Sequence, residues 1–248
     1  MSGHSKWAQI KRQKGANDAK RGAMFTKLAR EIQVAAREGG GDPDMNFRLR
    51  LAIQKARDNN MPAENIKRSI ERATGGGGGE QLQEITYEGY GPGGAAILVQ
   101  ALTDNRNRTV SDVRSAFTRG GGSLGESGSV AWLFEPRGLI VVNPGDRDPD
   151  EIALTAIDAG AEDVKTEDGT VEIYTQPNAL ERVREALLAQ NVAVEHAEQT
   201  YLPSTTIELN DEQATQVLKL IERLEDLDDV QRVFSNVEFS DAVLAGVG

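Results

Sequence analysis

Between residues 18 and 38, Phe25, Leu28, Ile32, Ala35 and Ala36 return at intervals of three and four, the spacing of one helical face. The pattern predicts a helix, and at about 100° per residue Lys20, Lys27, Arg30 and Arg37 fall away from its apolar stripe. Glycines 39–41 end it, because glycine takes a left-handed C-terminal position without steric cost. A second helix is expected after Pro43, with Phe47, Leu51 and further apolar positions, ending near Asn59 and Asn60. Pro62 opens a third, with Ile66, Ile70 and Ala73 inward and Lys67, Arg68 and Arg72 outward. Three short helices can share one small core. Residues 75–79 are all glycine, have no side chains to pack, and read as a flexible hinge.

Beyond the hinge, short apolar runs alternate with amphipathic ones. Residues 96–102 read as a strand, Val110, Val113, Ala116 and Phe117 as a helix stopped by glycines 120–122, and residues 130–134 as the next strand, which is one βαβ unit. Residues 139–142, a helix opened by Asp148 and Pro149, strands near Val164 and over 170–174 joined by an Asp168-Gly169 turn, a helix with Leu180, Val183 and Leu187, and a strand over 192–196 give the order βαββαβ. A strand over 205–209, an amphipathic helix (Ala214, Val217, Leu218, Ile221, Leu224) and a strand over 230–234 make a second lone βαβ unit. The expected fold class is therefore α+β, a three-helix N-terminal domain followed by two ferredoxin-like domains, one inserted into the other. The expected divisions are residues 1–79 (helices and linker), 80–135 with 201–240 (one discontinuous domain) and 136–200 (the insertion). Each lone unit left by itself would expose sheet edges. The alternative is one continuous sheet across 95–234.

Charge changes sign at the same hinge. Residues 1–79 carry sixteen Lys/Arg against eight Asp/Glu, and residues 80–248 carry twelve against thirty-one. Within the first thirty residues Lys6, Lys11, Arg12, Lys14, Lys20, Arg21, Lys27 and Arg30 face only Asp18. A cationic arm on an acidic body points to a polyanion-binding module, the plain alternative being a solvated helical face. No cysteine is present, which excludes disulfides, thiolate metal sites and a cysteine nucleophile. His4 and His196 are too few for a histidine metal site. The chain starts without the apolar stretch of a secretory signal, and its longest apolar runs are far too short to span a membrane. A cytoplasmic protein with no membrane partner is expected.

Several motifs fail on context. Residues 89–94, Gly-Tyr-Gly-Pro-Gly-Gly, precede a strand where a phosphate-cradling loop would follow one, and read as a tight turn. Asp146, Asp148 and Asp150 begin a calcium-loop spacing but lack its glycine and final glutamate, so helix capping is the better reading. Carboxylate pairs such as Glu162/Asp163 and Asp228/Asp229 carry no signal in so acidic a chain, and nothing pairs a nucleophile with a base. No catalytic residue, metal, cofactor or small-molecule substrate is expected. The arm differs, because Lys6, Lys11, Arg12 and Lys14 surround Trp7, whose face can stack on an unpaired base or else anchor the arm with Ile10. Arg106 and Arg108, in a polar turn opening a helix, can receive a phosphate, or the turn merely caps the helix through Asn107 or Thr109.

The stretches GHSKWAQIKRQKGANDAKRGAMFTKLAREI (3–32), GGGDPDMNFRLRLAI (39–53), NNMPAENIKRSIERA (59–73), YEGYGPGGAAILV (87–99), LTDNRNRTVSDVRSAF (102–117) and GGSLGESGSVAWLF (121–134) resemble the YebC/PmpR family. That family includes the mitochondrial translational activator of cytochrome c oxidase subunit I. The match is in layout more than in words after about residue 136. Phe47 stands where many relatives have proline and Gly15 where alanine is usual; neither alters the charge pattern. The resemblance implies a helical domain with two α+β domains, and members are described as DNA-binding transcriptional regulators or as translation factors acting at the ribosome, some linked to stalling on proline-rich stretches.

The expected function is a non-enzymatic nucleic-acid-binding regulator of gene expression. Its phosphate contacts would come from the arm, Lys20, Arg21, Lys27, Arg30, Arg106 and Arg108. Promoter DNA is one target; ribosomal or transfer RNA is the other, with ribosomal proteins as further partners of the acidic domains. An acidic interaction scaffold is a third reading, which leaves the arm unexplained.

Overall fold

A computed structural model describes residues 18–75, 81–167 and 169–246. The glycine hinge over residues 76–79, Asp168 of the anticipated turn and the whole arm through residue 17 lie outside the described residues. The described chain separates into two compact units, residues 135–202 and the remainder.

In the larger unit, helices α1 (Asp18–Gly39), α2 (Phe47–Asp58) and α3 (Ala63–Thr74) come first. Leu28, Ile32, Ala35 and Ala36 of α1 pack against Leu49, Ala52, Ile53 and Ala56 of α2, with Met61 and Ile66 closing the core. The further apolar positions of α2 make its core side, while Phe47 and Leu51 are half-buried. Helix α1 ends as glycine allows, with Gly40 at φ +89°. Buried Asn46 joins the two helices. Its amide donates to the Ala35 and Gly40 carbonyls (both 2.8 Å), and its oxygen caps α2 by accepting from Leu49 N–H at 3.0 Å.

Strands β1 (Gln83–Tyr90) and β2 (Ala96–Thr103) form an antiparallel hairpin whose turn is the Gly- and Pro-rich segment over 91–95. Helix α4 (Arg106–Arg119) then leads to the two-residue strand β3 (Ser123–Leu124). The segment read as a strand over 130–134 is mostly a single 3₁₀ turn, Ala131–Leu133. The strand proper, β4, runs Phe134–Val142 straight through Pro136, which lies before the stretch that pairs with residues 171–175. The chain returns to this unit with β8 (Ile207–Glu208), α7 (Asp211–Glu225), β9 (Val230–Ser235), β10 (Val237–Glu238) and α8 (Asp241–Gly246).

The main sheet has the order β3-β1-β2-β9. Strand β8 does not join it, pairing in parallel with β10 instead, so the second anticipated βαβ unit does not form as read. The vacancy beside β2 is taken by β1, which the sequence reading passed over, through the tight hairpin. Helices α4 and α7 share one core: Val113, Ala116 and Phe117 lie with Val217, Leu218, Leu220 and Ile221, all essentially inaccessible to water. Gly89 faces Phe117 so closely that a Cβ there would sit 2.6 Å from the ring and 2.6 Å from the Ser123 carbonyl.

The unit over 135–202 contains most of β4, then α5 (Pro149–Ala159), β5 (Asp163–Glu167), β6 (Thr170–Thr175), α6 (Leu180–Ala189) and most of β7 (Val194–Pro203). Its sheet order, β5-β6-β4-β7, with β6 antiparallel to both neighbours, is that of a βαββαβ split unit. Asp148 caps α5 by accepting from Asp150 N–H at 3.0 Å, as anticipated for that carboxylate cluster. The molecule is α+β.

Candidate nucleic-acid interface

The outward face of α1 is not simply solvated. Arg30 reaches the segment between α7 and β9, donating from Nη1 to the Asp229 carboxylate at 2.9 Å and to the Asp228 carbonyl at 2.8 Å. Lys27, one turn earlier, donates to the Glu225 carbonyl. Glu31 accepts from Lys55 of α2 at 2.8 Å and lies 3.4 Å from Arg232 of β9. One face of α1 therefore builds the helical core, and the next fastens that core to the sheet.

Asp229 is the centre of this fastening. It is 5% exposed. Besides Arg30, it holds Arg108 of α4 through Nη2 (2.9 Å to Oδ2, 3.1 Å to Oδ1), and it accepts from the Thr109 hydroxyl at 2.7 Å and the Thr103 hydroxyl at 3.2 Å. Burial alone would push its carboxyl up. The Thr109 and Arg108 hydrogen bonds, with the charges of Arg108 and Arg30, hold it below the usual carboxylate range instead. Arg108 is shared with Asp104 at 2.7 Å, and these two carboxylates raise its already high pKa further. A carboxylate so fully satisfied is held in its ionised form and has no free lone pair for proton transfer. Its chemistry is to fix two guanidiniums.

Sequence reasoning dismissed Asp229 as one acid among many. Nothing local marks it, because its partners lie 121 and 199 residues away. It also misplaced the helix cap: Asn105, not Asn107 or Thr109, accepts from Arg108 N–H at 3.1 Å and opens α4. A second buried carboxylate went unremarked. Glu88 accepts from the N–H groups of Gly128 (2.6 Å), Val130 and Ala131 (both 2.7 Å), which outweigh its burial and lower its pKa.

The anticipated phosphate contacts therefore divide. Lys27, Arg30 and Arg108 are brought together around residues 225–229 and engaged there. Arg21 on α1 and Arg106 in the first turn of α4 are exposed and form no ion pair among the described residues. Lys6, Trp7, Lys11, Arg12 and Lys14 lie outside the described residues, as does the side chain of Lys20. Further exposed arginines not singled out from the sequence, Arg57, Arg114 and Arg119, also lack an acidic partner among the described residues. Among the described residues no group of three or more His, Cys, Asp or Glu side chains is arranged to hold a metal ion, and no helix is long and apolar enough to cross a membrane.

Residues 5–76 match the family model described as the TACO1/YebC protein N-terminal domain, and residues 82–237 match that of the TACO1/YebC second and third domain. The chain is 56% identical over 242 residues to a protein of Herpetosiphon aurantiacus named "probable transcriptional regulatory protein", covering 97% of this chain and 96% of that one. It is 58% identical over 243 residues to a protein of the same name from Chloroflexus aggregans, with the same coverage. A crystal structure of a conserved hypothetical protein from Aquifex aeolicus matches with a TM-score of 0.83 at 48% identity, covering 90% of this chain and 93% of that one. With both family models matched in order and relatives aligned along nearly the full length, the chain belongs to the TACO1/YebC family.

Proposed function

We propose that this protein is a regulator of gene expression that works by binding nucleic acid through its N-terminal domain, without catalysing a reaction. The observation that carries the reading is the concentration of cations in residues 1–79, where Arg21, Arg57 and Arg72 stay exposed and free of carboxylate partners among the described residues even though Lys27 and Arg30 are engaged. Relatives named as transcriptional regulators support the regulatory part of it. In this reading the arm residues Lys6, Trp7, Lys11, Arg12 and Lys14, with Lys20, Arg21 and Arg106, meet phosphates and bases. Residues 1–79 act as one domain, residues 80–135 with 201–240 as a second, and residues 136–200 as an insertion in it.

An RNA target is favoured over promoter DNA by the outward face of α3, where Glu64 and Glu71 alternate with Arg68 and Lys67 at ion-pair spacing. Carboxylates so placed suit poorly a helix that must enter the major groove and donate to base edges. The ribosome, with exposed RNA beside basic proteins, is a surface that a cationic domain on an acidic body fits.

The test is the salt dependence of binding to mixed-sequence RNA and DNA by fluorescence anisotropy. With six to ten phosphate contacts, affinity falls roughly 10³–10⁵-fold between about 50 and 200 mM salt. Charge reversal at Lys11, Arg12 and Lys14 should weaken binding while leaving the thermal melt unchanged. A flat salt response removes phosphate contact as the main attraction. Crosslinking in cells, followed by identification of the bound nucleic acid, separates promoter fragments from ribosomal or transfer RNA.

A further inference from the structure

Between α1 and α3 the larger unit carries a groove of about 830 Å³. Its apolar lining comes from Phe25 and Ala29 on α1 and Met61 before α3. Its polar lining is open to solvent: among the described residues the side-chain amides of half-exposed Gln33 and Asn65 make no hydrogen bond within the protein, and exposed Arg72 has no acidic partner. Arg68, on the same wall one turn before Arg72, touches only Glu64, at 3.7 Å across a pair more than half exposed on both sides. Such a pair is worth little in water and yields readily to a better anion. Of the remaining charged lining residues, Arg30 is committed to Asp229, and Glu71 lies 3.8 Å from Lys67.

Two arginines one helical turn apart on α3, two solvent-facing amides on facing helices and an apolar lining form a distinct set. Guanidiniums at this spacing engage successive phosphates, amides donate to and accept from base edges, and apolar side chains lie against base or ribose faces. A groove in the protein takes in a strand, whereas a duplex would have to take the protein into its own groove. We infer that the α1–α3 groove is a seat for an unpaired nucleic-acid strand, with Arg68 and Arg72 on the phosphates and Gln33 and Asn65 on the bases. This rests on the nucleic-acid reading above and gives it a location outside the N-terminal arm.

The experiment compares full-length wild type with Arg68→Gln/Arg72→Gln, Gln33→Ala/Asn65→Ala, and a control pair, Arg114→Gln/Arg119→Gln, on exposed arginines of α4. Binding is read by anisotropy against an oligo-uridine, an oligo-cytidine and a mixed-sequence DNA duplex across a salt series, with melts to confirm folding. The groove arginine variant should bind single strands roughly tenfold or more weakly, and its log–log salt slope should fall by about 1.4, the loss of two single-strand phosphate contacts. The amide variant should lose discrimination between the two homopolymers with its salt slope unchanged, and the control should match wild type. Wild-type binding with unaltered groove variants overturns the groove and leaves the nucleic-acid reading standing. Equal competition by the duplex overturns the preference for an unpaired strand. Failure of wild type to bind any of the three overturns the functional reading itself, and the groove with it.

Discussion

Asp229 shows how far a single side chain can matter when it is buried and fully partnered. Replacing it by asparagine keeps its shape but removes the charge that Arg30 and Arg108 neutralise, and should cost about 2 kcal/mol at neutral pH. Its folded pKa is depressed, so its stabilisation is complete above the usual carboxylate range near pH 4 and disappears as pH falls through the lower folded value. Chemical denaturation of wild type and Asp229→Asn at several pH values should therefore show a gap that is wide at pH 7 and closes below about pH 4. A gap independent of pH would mean the carboxylate is not ionised in the fold. At this scale the sequence is a poor guide. The basic residues were legible because they cluster, but what separates Arg30 and Arg108 from Arg21 and Arg106 is a partner more than a hundred residues away.

Among the elements, the helices were legible and the strands less so. Helix α7 buries Ala214, Val217, Leu218, Ile221 and Leu224, the stripe its spacing announces, because a long amphipathic period leaves one solution. Strand β1 offers only Ile85, Tyr87 and the terminal Tyr90 as apolar markers, and its close approach to α4 depends on Gly89, a residue that weakens any strand pattern. The run over 130–134 is apolar enough for a strand, yet the Glu88 carboxylate gathers the N–H groups of Val130 and Ala131 and bends it into a turn. Gly89→Ala tests the packing of β1 on α4. The added carbon would push against Phe117 and the backbone at Ser123, and the thermal melt should report a loss of about 1–3 kcal/mol. An unchanged melting temperature would show that the sheet and helix can separate at little cost.

At the scale of the whole molecule, charge is partitioned by domain, and one part of it is removable. Residues 135–202 hold fifteen Asp/Glu against five Lys/Arg, nearly all of the formal net charge of −11. Chain departure and return are clasped together: the Leu133 carbonyl accepts from Ser204 N–H at 2.7 Å and from its hydroxyl at 3.1 Å. Replacing 135–202 with a short glycine-serine link should leave a cooperatively melting protein with a formal net charge of −1. It should bind nucleic acid more tightly at low salt, as long-range repulsion is removed. Loss of the cooperative melt would show that the remainder needs the insertion in order to fold. The pairing of β2 with the late strand β9 sets a schedule for biosynthesis. Strand β2 finds its outer neighbour only when Ser235 comes opposite Ile97, so at about 5–20 residues per second a nascent chain carries β2 with a bare flank for roughly 7 to 28 seconds. A message truncated before codon 230 would release a polypeptide whose most apolar strand is permanently open to pairing with other chains, so premature termination should yield insoluble product in place of a shorter working protein.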